Sequence, residues 1–116
     1  MKKMISRQKV LTDLLDSLSV GYSINISRNN YKNTEVTGVV LDSRNTMPGN
    51  LFVAIEGGAL DGHEYIQQSI ANGAVAIVGS REIEDLPVPY IRVEDSRQAL
   101  ASLSAAFYDF PASLPW

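Results

Sequence analysis

Two wholly apolar segments flanking one of helical period, within residues 51–78, constrain this chain more than any other feature. Leu51-Phe52-Val53-Ala54-Ile55 and Ala74-Val75-Ala76-Ile77-Val78 have the length and composition of buried strands. Between them Asp61 precedes Glu64 by three residues, the spacing of a capping box. In that device the Asp61 carboxylate accepts from the Glu64 N–H and the Glu64 side chain reaches back. The helix is expected to run to about Asn72 and to stop at Gly73. Ile66 and Ile70 form its buried face, and Tyr65 is a further candidate. A strand–helix–strand unit of this kind is parallel and right-handed. The predicted class is therefore α/β, a small mixed, largely parallel sheet covered by about three helices.

A second apolar run, expected as a strand over residues 36–41, is joined to the first by a Pro48-Gly49-Asn50 turn. Gly38 inside it suggests a bulge or the close approach of another backbone. Both strands end in small and polar residues, Asp42-Ser43-Arg44 and Gly57-Gly58-Ala59-Leu60-Asp61-Gly62-His63. Whether these ends share a rim depends on strand order and direction. Ligands of α/β sheets bind at such rims.

Upstream, Ser6 is placed to cap a helix with Val10, Leu11, Leu14, Leu15 and Leu18 on one face, ended by Gly21. Residues 23–27 alternate around Ile24 and Ile26, which suits a half-buried strand at a sheet edge. Asn29, Asn30 and Asn33 read as turns. Downstream, residues 79–87 read as a loop and 88–93 as a strand. Asp95 with Gln98 repeats the capping pattern before Ala99, Leu100, Leu103, Ala106 and Phe107, and Pro111 prevents continuation.

At 116 residues the chain suits one domain with a single core. It has no cysteine, which excludes disulfides, thiolate metal sites and cysteine nucleophiles, and with one histidine a zinc site would lean on carboxylates. The net charge is −3 and the ten Lys and Arg residues are scattered, apart from Lys2, Lys3, Arg7 and Lys9. No basic stripe tracks a phosphate backbone, so no nucleic-acid partner is expected. Met1-Lys2-Lys3 is followed by a stretch broken by Thr12, Asp13, Asp16 and Ser17, without the apolar core of a signal peptide or a span. No membrane partner and a cytoplasmic location are expected.

Ser43, Asp42, Asp61 and His63 include the residue types of a nucleophilic triad, but Ser43 lacks the G-x-S-x-G setting of a nucleophile elbow. His63 falls in the first helical turn, where a neutral imidazole is preferred. Two readings of it stay open: a hydrogen-bonded tie between helix start and loop, and a direct ligand contact. For Asp42 and Arg44 the preferred reading is an ion pair holding the loop. The functional one has Arg44 offset an anionic ligand. Gly57-Gly58 is too short for a phosphate fingerprint, yet it allows close backbone approach. Tyr65, Tyr90, Phe107 and Tyr108 read as core.

Leu41-Asp42-Ser43-Arg44, Pro48-Gly49-Asn50-Leu51-Phe52-Val53-Ala54, Gly57, Asp61-Gly62-His63 and Ala71-Asn72-Gly73-Ala74 resemble, in order and spacing, the amino-terminal domain of the Mur ligases. These cytoplasmic enzymes build the peptide of the bacterial cell-wall precursor. The Asp-Ser-Arg form and the ending Phe107-Tyr108-Asp109-Phe110-Pro111-Ala112-Ser113 resemble the member that adds the third residue. The member that adds the terminal dipeptide is the alternative, as is a non-catalytic α/β interaction module. The resemblance implies a domain that binds the UDP end of UDP-N-acetylmuramoyl-L-Ala-D-Glu, with Leu41, Ser43, Gly58, Ala59 and Leu60 at the UDP portion. Asp42, Arg44, Asp61 and His63 would support the loops. ATP and magnesium are implied for a central domain, and the incoming amino acid for a third. The family's phosphate-binding loop would begin a few residues beyond Trp116. Residues 1–116 would then be the first domain alone, without catalytic or metal residues and inactive by itself, its partner the rest of the ligase chain. Asn50 stands where the family usually has aspartate.

Overall fold

The computed structural model describes residues 9–18, 21–25, 28–57 and 61–108. Its strands are β1 (Lys9–Val10), β2 (Tyr22–Ile24), β3 (Glu35–Val36), β4 (Gly38–Val40), β5 (Asn50–Val53), β6 (Ala76–Gly79) and β7 (Tyr90–Val93). The helices are α1 (Leu11–Asp16), α2 (Arg28–Tyr31), α3 (Ile66–Ala71) and α4 (Ser96–Tyr108), with 3-10 turns at Ser43–Asn45 and Gly62–Tyr65. The main sheet has the order β2-β7-β6-β5-β4. Strands β4 to β7 are parallel neighbours, and β2 closes one edge antiparallel to β7. The mixed, largely parallel sheet matches the expected class, and α2 adds one short turn to the three expected helices.

Alternation along the strands sends side chains to two layers. Leu51 and Val53, Ala76 and Val78, and Ile91 and Val93 join Leu11, Leu14 and Leu15 of α1 and Ala99, Leu103 and Phe107 of α4. On the other face Phe52, Ala54, Ile77 and Tyr90 meet Ile66 of α3. Both faces are covered, which is why these strands read as unbroken apolar runs.

Several local expectations are corrected. Ser6 lies outside the described residues. The first helix starts at Leu11, since Lys9 and Val10 pair antiparallel with Val36 and Glu35, and its Val10 N-cap makes no side-chain bond. Residues 29–30, read as a turn, belong to α2. The strand expected over 36–41 is two: β3 joins the small sheet and β4 the main one. Between them the Thr37 N–H donates to the Gly49 carbonyl (2.9 Å), leaving both ladders. At Gly38 the close neighbour is a side chain, for a Cβ would stand 3.0 Å from Asn50 Nδ2. The Asn50 amide closes the turn, accepting from the Met47 N–H (2.8 Å) and donating to Thr37 Oγ1 (3.2 Å).

The capping box at Asp61 does not form. Its carboxylate accepts from the N–H of His63, and the Glu64 N–H donates to the Asp61 carbonyl instead. The chain therefore enters α3 through a 3-10 turn. Tyr65 faces out, 36% exposed, because that turn displaces it from the face carrying Ile66. The Asp95 cap forms, accepting from Arg97 N–H (3.0 Å) and Gln98 N–H (3.2 Å). Pro111 and Ile26 lie outside the described residues.

Candidate functional site

Because β4 and β5 are parallel neighbours, residues 41–44 and the chain after Val53 leave the same edge of the sheet. A cleft of about 500 Å³ opens there. Phe52 and Ile55 contribute its apolar lining, and Gly57 and Gly62 bring the backbone close. Leu41, Asp42, Ser43 and Arg44 line one wall, Tyr65 and Gln68 another, and Arg97 stands at the start of α4. Gly58, Ala59 and Leu60 lie outside the described residues.

The loop after β4 is held from α3. The Ser43 Oγ–H donates to Gln68 Oε1 (3.0 Å), and the Asn72 amide N–H donates to the Ser43 carbonyl (3.0 Å). Thr46 Oγ1 lies 3.4 Å from Ser69 Oγ, and its hydroxyl donates to the Asp42 carbonyl (3.2 Å). Ser43 is thereby buried at the cleft wall, while Leu41 stays 56% exposed. Asp42 caps its own 3-10 turn through the Arg44 N–H (2.9 Å). It also takes a two-point contact from the guanidinium, Nε–Oδ1 3.1 Å and Nη2–Oδ2 2.9 Å. That bonding holds the Asp42 carboxyl below and the Arg44 guanidinium above their usual ranges.

A second cluster fixes the loops after β5 and β6. His63 is 9% exposed. Its Nδ1 lies 2.7 Å from Asp61 Oδ1, and its Nε2 accepts from the N–H of Ser80 (3.0 Å) and Arg81 (3.4 Å). Two N–H groups aimed at Nε2 require a lone pair there, so the proton sits on Nδ1 and faces Asp61. Gly79 allows this approach, since a Cβ there would stand 2.8 Å from His63 Nε2 and 2.5 Å from the Tyr90 hydroxyl. Arg81 pairs with Asp61 and reaches Glu56 (3.5 Å). Burial pushes the Tyr90 hydroxyl up to about 12, and it donates to the Arg81 carbonyl.

His63 thus ties helix start to loop, and Ser43 donates to Gln68 rather than to an imidazole. The parts of a nucleophilic triad are not assembled. Among the described residues no group of three or more His, Asp or Glu side chains stands ready for a metal, and Asp42 and Asp61 are already committed. These residues do not fit magnesium.

The bond from the His63 N–H, then that from the imidazole and the Arg81 charge, lower the Asp61 pKa. A carboxyl held below its unfolded value stabilises the fold above that value, near 4, and the contribution is lost as pH falls through the folded one. The urea midpoint is expected to drop as pH falls from about 5 to about 3. In Asp61→Asn, which keeps an acceptor for His63, that drop is expected to be shallower. Parallel midpoint–pH curves would show that Asp61 does not contribute.

Sequence reasoning missed Tyr65, Gln68, Asn72 and Arg97. The first three recur at helical spacing and mark the face of α3 turned to the rim. Arg97 directly follows a strand end and a cap, which places it at the same edge.

Parallel strands with a cleft at their carboxyl ends have the arrangement at which α/β sheets bind ligands. Residues 35–108 match the profile of the Mur ligase family, catalytic domain, and the chain belongs to that family. The UDP-N-acetylmuramoyl-L-alanyl-D-glutamate--2,6-diaminopimelate ligase of Halalkalibacterium halodurans is 42% identical over 103 residues, 89% of this chain and 20% of that protein. The UDP-N-acetylmuramyl-tripeptide synthetase of Roseiflexus sp. is 51% identical over 81 residues, 68% of this chain and 16% of that protein. The crystal structure of MurF from Acinetobacter baumannii aligns with a TM-score of 0.69 at 26% identity, over 85% of this chain and 21% of that one. The chain therefore spans about a fifth of the length of the relatives it matches. No helix among the described residues is long and apolar enough to cross a membrane.

Proposed function

We propose that this chain is the substrate-recognition domain of an ATP-dependent ligase that joins a diamino acid to UDP-N-acetylmuramoyl-L-Ala-D-Glu in peptidoglycan precursor synthesis in the cytoplasm. The observation that carries the reading is the cleft at the carboxyl ends of β4 and β5, with Leu41 and Ser43 in its wall. The relatives' names supply the ligand class. Leu41 offers an apolar surface to the uridine. The Ser43 hydroxyl can exchange its bond to the exposed Gln68 for one to a ligand oxygen. Gly58, Ala59 and Leu60 would complete the UDP contacts through backbone N–H groups. ATP and magnesium would be held by a central domain of the ligase, and this domain alone would bind and orient substrate without turning it over.

A second reading, the ligase that adds the terminal dipeptide, is favoured by the solved MurF neighbour at 26% identity. The higher identities, 42% and 51%, belong to relatives named for the diaminopimelate- and tripeptide-forming reactions, which supports the first.

Titrating UDP and UDP-N-acetylmuramoyl-L-Ala-D-Glu into the 15N-labelled chain is expected to move amides at residues 41–44 and 57–63. Ser43→Ala is expected to weaken binding by roughly tenfold, the scale of one lost hydrogen bond, while the spectrum stays folded. A folded wild-type spectrum unmoved at millimolar ligand would overturn the reading and favour an interaction module.

A further inference from the structure

We propose that Arg97 is the cation that holds the diphosphate of the ligand in this cleft, an inference that rests on the uridine-diphosphate reading above. Among the described residues three charged side chains line the cleft: Asp42, Arg44 and Arg97. Asp42 and Arg44 pair through two hydrogen bonds on one edge of the guanidinium, so the pair adds no net charge to the cleft. Among the described residues no carboxylate stands within ion-pair distance of Arg97. The described lining of the cleft therefore carries one unbalanced positive charge, and Arg97 supplies it.

Three backbone N–H groups at the start of α4 are already taken. The N–H groups of Arg97 and Gln98 are both taken by Asp95 Oδ1, and that of Ala99 by the Asp95 carbonyl (3.0 Å). The same cap fixes the backbone from which the Arg97 side chain extends, directly after β7 and at the edge where Ser43 lies. A planar guanidinium with free donors suits the paired oxygens of a diphosphate, and its long stem lets it close over a ligand seated against Leu41. In a chain of net charge −3, this local positive charge gives the anion a defined landing point.

The test compares UDP, uridine and inorganic pyrophosphate on the 116-residue chain and on Arg97→Gln, Arg97→Lys and Arg44→Gln. Arg97→Gln is expected to weaken UDP and pyrophosphate by about tenfold, the scale of one charge-assisted contact, and to leave uridine unchanged. Arg97→Lys is expected to recover part of the loss, and Arg44→Gln, which leaves Asp42 unbalanced, to weaken UDP less than Arg97→Gln does. The Arg97 Nε–H resonance of the wild-type chain is expected to shift with UDP and stay still with uridine, a readout that needs no variant to fold. UDP binding that survives Arg97→Gln but falls in Arg44→Gln would overturn the proposal in favour of Arg44. Equal affinity for UDP and uridine in the wild type would overturn it too. Failure of both UDP and uridine to bind the wild type would remove the cleft reading itself, and this proposal with it.

Discussion

Phe52→Ala is expected to lower the unfolding free energy by about 3–5 kcal/mol, the range for truncating a fully buried aromatic residue. Phe52 is fully buried on a central strand and packs toward Ile66, Ile77 and Tyr90. It also lines the cleft, so the void would open in the cleft floor. Against a total of about 5–15 kcal/mol for an ordinary domain, this loss would bring the fold near its limit. Leu41→Ala is the control: at 56% exposure it is expected to change stability by less than about 0.5 kcal/mol. Urea unfolding followed by circular dichroism checks both. A loss below about 1 kcal/mol for Phe52→Ala would mean that the layer facing α3 does not act as core.

Gly73→Ala is expected to destabilise by a comparable amount without reshaping the cleft. Gly73 has φ +109, where a side chain costs about 1–2 kcal/mol. A Cβ there would also stand 2.5 Å from the Pro48 Cα. The obstacle is backbone, so the turn must move, at about 1–3 kcal/mol more. That turn is anchored to the same residue, for the Gly49 N–H donates to the Gly73 carbonyl (2.9 Å). Gly73 precedes β6 and sits at the amino edge of the sheet, opposite the cleft. UDP affinity measured below the melting transition is therefore expected to match wild type. A large affinity loss with little change in melting temperature would contradict this placement.

Much of the fold was legible because it is written in near neighbours. The runs at Leu51 and Ala74 marked strands covered on both faces, the segment between them required a parallel crossover, and Asp95 marked a helix start that forms as expected. Asp42, Ser43, Arg44 and the residues around Asp61 were legible as a rim because polar residues at strand ends fall on an edge, whereas Leu41 entered only through the family resemblance. What escaped depends on partners distant in sequence. Lys9 and Val10 look helical until Val36 and Glu35 offer them a ladder. Residues 36–41 look like one strand until the Gly49 carbonyl draws off the Thr37 N–H.

The sequence by itself determined the class, the two-sided core and the parallel sense of its central strands, since apolar period and crossover length act locally along the chain. Only the tertiary structure decided how the cleft is charged. The spacing of Asp42 and Arg44 allowed an ion pair, but their two-point contact had to be seen to show that the Arg44 charge is already balanced. Tyr65 turned outward because a 3-10 entry replaced the capping box. Arg97 entered the site because β7, three positions from β4 in the sheet, carries α4 to the same edge. Hydrogen bonds and charges far apart in the chain meet only after the sheet has ordered its strands, and that order sets which cation remains free.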